Sequence, residues 1–323
     1  MNICKSEEEF SMKSAKKIIA LILAISMLFA FCVPVFASDE GEAAKPFDNS
    51  EYFQYENLTI HYRVFEAENE KGKIFMIHGF ALSGYCWEEL ATRLVKEGYT
   101  CVAADLPDFG YSTRETSSEN LPAREDVMYA LMSSLSSEKW YVAGHSMGGY
   151  IALKLAEKYP DSVKNLLLYG TAYNKGHSDT LNGMMTNNVF VSVMAPLMEL
   201  MAKFDCVVRL MLYAGLMDAE YTKNYDLSKI TAPLRIKGTG AGALYSFSTL
   251  PQTNLEAVEK MPPILYVNGD RDFVIPAADR EVLREHLPEG SVDAVVSGGG
   301  HMFIENMADE TAEITLSFLK NNQ

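Results

Sequence analysis

Short apolar runs alternate with amphipathic stretches along most of the chain. Leu58–Phe65 alternates apolar and polar positions, which predicts a half-buried strand forming half of a hairpin. Lys73–His78, Tyr99–Ala104, Trp140–Ala143, Val163–Tyr169, Ile264–Asn268 and Val292–Val296 are brief and mostly apolar, the pattern of buried strands. Helical spacing of apolar residues covers Trp87–Glu97, Leu121–Ser136, Met147–Tyr159, Ala277–Leu287 and Met307–Leu319. Gly98 and Pro160 follow two of these at positions that stop a helix. Strands spaced by helices of this length predict βαβ units and a mostly parallel sheet.

Three regions depart from that rhythm. Residues 172–250 show helix-like stretches and no good strand, and they hold Met184, Met185, Met194, Met198, Met201, Met211 and Met217. This segment reads as a helical cap over the C-terminal edge of the sheet, where open α/β sheets bind ligands. Methionine fills such a cap's own core and suits an adaptable apolar surface. Within it, Gly238-Thr239-Gly240-Ala241-Gly242 reads as a mobile return from the cap. The core is then 51–171 plus 251–323, and the polar stretch 38–50 reads as a linker. At the start of the chain, Lys13, Lys16 and Lys17 precede an apolar run from Ile18 to Phe36, and Val35-Phe36-Ala37 supplies a cleavage site. That layout predicts a secretory signal peptide over 1–37 and a secreted or extracytoplasmic protein. The acidic run Glu7–Glu9 fits it only if synthesis starts at Met12. The competing expectation is an uncleaved membrane anchor at residues 18–36, since that length can just span a bilayer.

Composition narrows the partners. Apolar residues make up 48% and charged residues 22%, which excludes disorder over most of the chain. The net charge of −15 repels phosphate backbones, so no nucleic-acid partner is expected. Beyond the leader, Cys86, Cys101 and Cys206 form neither a disulfide framework nor a zinc pattern. No clustered ligand set or phosphate-binding fingerprint is present, and no metal is inferred.

The candidate chemistry gathers in four places. Gly144-His145-Ser146-Met147-Gly148 lies between a predicted strand and a predicted helix, the setting of a nucleophile elbow. Ile77-His78-Gly79-Phe80 follows another strand, where a backbone N–H of Phe80 can meet an oxyanion together with that of Met147. His78 itself reads as a positioning residue. Gly269-Asp270-Arg271-Asp272 follows a later strand; Asp272 is the chosen orienting acid and Asp270 the alternative. Gly298-Gly299-Gly300 delivers His301, the side chain suited to take and return a proton near neutral pH. The remaining histidines, His61, His145, His177 and His286, read as structural or incidental.

On these residues the chain resembles the α/β-hydrolase superfamily, in its branch of capped serine esterases and lipases. The resemblance covers about residues 50–323 and is weakest over the cap. It includes Asp105-Leu106-Pro107-Asp108-Phe109-Gly110-Tyr111-Ser112, similar to the family's D-x-P-G-x-G-x-S segment with Asp108 in place of the first glycine. The resemblance implies an eight-stranded, mostly parallel sheet flanked by helices and no cofactor. It also implies a Ser146–His301–Asp272 triad acting on a small ester with an apolar acyl group. Acyl transfer and C–C bond hydrolysis on the same triad are the alternative chemistries, and a non-catalytic binding protein is the remaining class.

Overall fold

The computed structural model describes residues 45–322 apart from Thr116 and His177. The leader read at 1–37 lies outside the described residues, as does most of the stretch read as linker. Eight strands form one sheet: β1 (Ser50–Tyr55), β2 (Leu58–Phe65), β3 (Gly72–Ile77), β4 (Tyr99–Ala104), β5 (Trp140–His145), β6 (Val163–Tyr169), β7 (Ile264–Gly269) and β8 (Val292–Val296). Their spatial order is β1-β2-β4-β3-β5-β6-β7-β8. β1 and β2 form the antiparallel hairpin, β2 pairs antiparallel with β4, and every other pairing is parallel.

The central strands are apolar on both faces because both faces are covered. Ile74 and Met76 of β3 pack with Leu90 and Leu94 of α1 (Glu88–Lys96) and Phe318 and Leu319 of α13 (Ala308–Asn321). Phe75 and Ile77 point the other way, onto Val127 and Leu131 of α2 (Arg124–Leu135) and Ile151 and Leu155 of α3 (Met147–Lys158). The side-chain period of two in β3 thus feeds two separate cores. α11 (Ala277–Glu285) adds Leu283 to the second, and α12 (Phe303–Asn306) adds Phe303 and Ile304 to the first. Burying each such side chain stabilises the fold by about 1.5–3 kcal/mol.

Between β6 and β7 the described residues contain helices and no strand: α4 (Asp179–Met185), α5 (Asn188–Ala202), α6 (Asp205–Leu216), α7 (Ala219–Asn224), α8 (Ser228–Leu234), α9 (Thr239–Ser248) and α10 (Leu255–Val258). The start of α4 is capped by Ser178, that of α5 by Asn187 and that of α7 by Asp218, each accepting a first-turn N–H. Two readings of the sequence need correction here. Residues 239–242 are not a mobile return but the first turn of α9. Gly240 lies against the backbone of Ala195, and Gly242 against the side chain of Asp108, so these glycines serve close packing. Residues 45–50 are no linker either. The Phe47 ring stacks on Tyr85 at 5.8 Å, and Ser50 is fully buried at the start of β1.

Candidate active site

The turn from β5 into α3 is sharp, and Ser146 occupies it at φ 52°, ψ −120°. A non-glycine residue held there is strained, and the surrounding packing maintains it. Gly148 makes the turn possible, since a side chain there would overlap the carbonyl of Ile77 at the end of β3. The Ser146 N–H donates to Tyr169 O of β6 at 2.9 Å, and Thr171 Oγ1 donates to Ser146 O at 2.9 Å. Both clamps come from β6 and the residues just beyond it.

Three side chains called from separate parts of the sequence meet at this turn. His301 Nε2 lies 2.9 Å from Ser146 Oγ, and His301 Nδ1 lies 2.9 Å from Asp272 Oδ2. A carboxylate only accepts, so Nδ1 carries the proton and the Nε2 lone pair faces the serine hydroxyl. Asp272 Oδ1 also accepts the N–H groups of Val274 at 2.8 Å and Ile275 at 3.2 Å. Burial pushes the Asp272 carboxyl up, but His301 and these backbone donors outweigh it and hold the group below its ordinary value. Asp270 points elsewhere: its Oδ1 accepts from Gly298 N at 2.7 Å, which braces the glycine loop.

His301 is held on two further sides. His145 Nε2 donates to His301 O at 2.9 Å, and Met302 N donates to Gly215 O at the end of α6, also at 2.9 Å. Burial, followed by the nearby His301, lowers His145 to about 3, so it stays neutral.

The N–H groups of Phe80 and Met147 flank the elbow, and neither donates to a hydrogen-bond acceptor among the described residues. His78 explains the orientation of the first. Leu106 N–H donates to His78 Nε2 at 3.0 Å, which places the ring proton on Nδ1, and Nδ1 donates to Gly79 O at 2.7 Å. Burial drives the His78 pKa down and favours this neutral form. Gly79 O and Phe80 N–H belong to one trans peptide, so fixing the carbonyl aims the N–H the opposite way. The Phe80 ring is edge-on to Phe109 at 5.6 Å and to Phe247 of α9 at 5.7 Å, giving the elbow an aromatic neighbour.

Two buried networks escaped the sequence reading. His61 bonds Asp105 through Nδ1 and Ser50 through Nε2, both at 2.7 Å. Asp108 pairs with Arg124 at 2.7 Å. The D-x-P segment was the available signal for both acids, but nothing local marks their partners.

The sequence profile described as alpha/beta hydrolase fold matches residues 73–306. The chain belongs to that family. It is 28% identical over 235 residues to the dihydrolipoyllysine-residue acetyltransferase component of the acetoin cleaving system of Cupriavidus necator. That match covers 71% of this chain and 58% of the relative. It is also 28% identical over 260 residues to Lipase 3 of Moraxella sp. (strain TA144), covering 76% of this chain and 77% of the relative. Among solved structures, a thermophilic esterase from Thermogutta terrifontis superposes with a TM-score of 0.63 at 19% identity, covering 81% of this chain and 94% of that one. At that identity the likeness concerns the fold alone.

Proposed function

We propose that this alpha/beta hydrolase family member is a serine hydrolase of carboxylic esters with apolar acyl groups. The observation that carries the reading is the unbroken hydrogen-bonded line from Ser146 through His301 to Asp272 at a strained, partly exposed elbow. Ser146 Oγ attacks the ester carbonyl carbon as its proton passes to His301 Nε2. The carbonyl oxygen becomes an oxyanion and accepts the N–H groups of Phe80 and Met147. His301 then protonates the leaving alcohol as the C–O bond breaks, leaving the acyl group on Ser146. Water gives a proton to His301 and attacks the acyl carbon; the Ser146 Oγ–acyl bond then breaks as His301 returns that proton to Ser146 Oγ, releasing the acid and the free enzyme. In this reading Asp272 orients His301, His78 positions the Phe80 donor, and the helices between β6 and β7 act as a cap.

The test is hydrolysis of p-nitrophenyl esters from acetate to palmitate by the protein and by Ser146→Ala. Turnover that vanishes in the variant supports the reading; turnover that persists contradicts it. The similarity to an acetyltransferase component favours a second reading, acyl transfer from the same acyl-enzyme to an alcohol or thiol. Product analysis with an added acceptor separates the two. Export belongs to the same proposal and rests on the leader pattern over 1–37; the mass of the mature protein from a secreting host tests it.

A further inference from the structure

We infer that Asp108, Arg124 and Ser246 set the acyl selectivity of the site by pinning α9, and with it Phe247, against Phe80. The inference rests on the serine-hydrolase reading above. Asp108 stands where the family segment has glycine, and it adopts φ 74°, in the left-handed region that glycine favours. It is fully buried. An aspartate in such a place gives up water and backbone comfort together, and its contacts show what replaces them. Oδ1 accepts Glu115 N–H at 2.7 Å. Oδ2 accepts Arg124 Nη2 at 2.7 Å and Ser246 Oγ at 3.3 Å. Arg124 Nη2 also reaches Glu115 Oε2 at 2.5 Å and Ser246 Oγ at 3.3 Å. Four residues from the D-x-P segment, the loop after it, the start of α2 and α9 therefore share one buried knot.

The knot borders the site on two sides. Phe109 follows Asp108 directly, Phe247 follows Ser246 directly, and their rings meet Phe80 edge-on at 5.6 and 5.7 Å. Phe80 carries one of the proposed oxyanion donors and is the exposed member of this trio, at 36%. A second tie runs parallel: Arg114 Nε donates to Thr239 Oγ1 at 2.8 Å at the first residue of α9, and its Nη2 donates to Gly110 O at 2.7 Å.

The other face of α9 is held differently. Leu244 and Tyr245 pack on Val191 and Ala195 of α5, with Met185, Met194 and Met198 around them. Methionine packing is adaptable and specifies register weakly. A buried ion pair adds little net stability against an apolar replacement; here it ties Glu115, Arg124 and Ser246 to one carboxylate. The division of labour follows: the methionines hold α9 to its neighbours, and the Asp108 knot decides where along the loop it sits. The ligand group in question is the acyl chain of the substrate, because Phe80, whose N–H is the proposed oxyanion donor, also presents the ring that meets Phe247.

The test measures the rate at which alkyl fluorophosphonates of short, medium and long chain label Ser146, so that it does not depend on ester turnover. The proteins are the wild type, Ser246→Ala, Phe247→Leu, the double variant and Asp108→Asn. Ser246→Ala leaves no charge unpaired, and Asn is the side chain best able to keep the left-handed conformation. The expected result is a threefold or larger change in the short-to-long rate ratio for Ser246→Ala and for Phe247→Leu. Asp108→Asn shifts the ratio in the same direction. In the double variant, Ser246→Ala adds nothing to Phe247→Leu, because it acts through that ring. An unchanged ratio in folded Ser246→Ala, or an effect that simply adds to that of Phe247→Leu, overturns the inference while leaving the nucleophile reading standing. Wild-type protein that no phosphonate labels overturns the serine-hydrolase reading itself.

Discussion

Among the described residues, two Ser–His–Asp lines are built alike. In each, histidine Nδ1 meets an aspartate and Nε2 meets a serine hydroxyl, at 2.9 and 2.9 Å for Ser146–His301–Asp272 and at 2.7 and 2.7 Å for Ser50–His61–Asp105. Their surroundings differ. Ser146 sits on a left-handed turn at the head of a helix, partly exposed, beside the Phe80 and Met147 N–H groups, which meet no acceptor among the described residues. Ser50 lies in a strand, fully buried, and its oxygen accepts the Phe47 N–H at 3.1 Å. The rings of Phe47, Tyr52 and Tyr111 pack around His61. Asp105 accepts the N–H groups of Gly84 at 2.6 Å and Tyr111 at 2.7 Å. The second line is a fastener between the β1–β2 hairpin and the loop after β4. The contrast teaches that the same hydrogen-bonded line can stand in two settings: only the Ser146 line combines a strained turn with an open side, the setting that the proposed nucleophile requires.

The sharpest way to break this comparison is to exchange the serines' fates. If Ser146 is the nucleophile as proposed, Ser146→Ala is expected to lower ester turnover by about six orders of magnitude. Ser50→Ala is expected to leave kcat within about twofold and to lower stability by about 1–3 kcal/mol, the effect of unpairing a buried polar group. Steady-state kinetics and urea unfolding read the two. Comparable losses of kcat in both variants at equal folded fraction break the distinction.

Next in size is the proposed oxyanion donor, the Phe80 N–H, which lies beside the first line only. His78→Phe removes the bond that holds the Gly79 carbonyl while filling the same space. It is expected to lower kcat by about 10- to 100-fold with KM nearly unchanged, somewhat less than deletion of a donor outright. His78→Asn, which keeps a donor near Nδ1, is expected to recover most of that. A His78→Phe effect confined to KM contradicts the positioning role.

The acids sharpen the comparison on stability. Burial raises Asp105, but His61 and the Gly84 N–H outweigh it and hold it below its ordinary value. Between its lowered folded value and its ordinary value the folded form binds fewer protons than the unfolded form, so its contribution is full above the ordinary value and is lost as pH falls from there through the folded value. Asp105→Asn is expected to lower Tm by several degrees at pH 7 and by less at pH 3–4. A loss that is equal at both pH values argues against the charge.

Glu305 has the opposite sign and a smaller expected effect. Burial pushes it up to about 8, against the Tyr225 hydroxyl that donates to it at 2.8 Å. The folded state then holds a proton that the unfolded state releases above pH 4–5, so stability falls as pH rises from there to about 8. Glu305→Gln is expected to flatten that slope and raise Tm by a few degrees at pH 8, with little change at pH 4. A slope that survives the substitution refutes the assignment.

Much of the fold was legible because its signals are local. β3, β4, β5, β6 and β7 are short apolar runs, and the helices that cover them carry apolar stripes. The elbow was legible because Gly144, Ser146 and Gly148 announce a turn that few other sequences make. The eight-stranded, mostly parallel sheet stands as expected. β1 was missed because Ser50–Tyr55 is a largely exposed edge whose partner strand supplies its order. α5 carries exposed Val189 and Val193 beside buried Val191 and Ala195, so no single stripe reveals which face it buries. The start of α9 was misread because glycine is a poor helix former, and only the approach of Ala195 and Asp108 shows why it is there. The Ser50–His61–Asp105 line joins residues up to 55 positions apart with no motif between them. Asp108 was seen as a departure from the family segment, but its partner Arg124 could not be read from its place at the head of an ordinary helix.

The most direct measurement is peptide mapping by mass spectrometry after treatment with a fluorophosphonate, under conditions where ester turnover is followed in parallel. The account predicts one phosphonate, on the peptide carrying Ser146, with none on the peptide carrying Ser50, and loss of turnover in step with labelling. Turnover that survives complete labelling of Ser146, or inactivation with the label elsewhere, contradicts it.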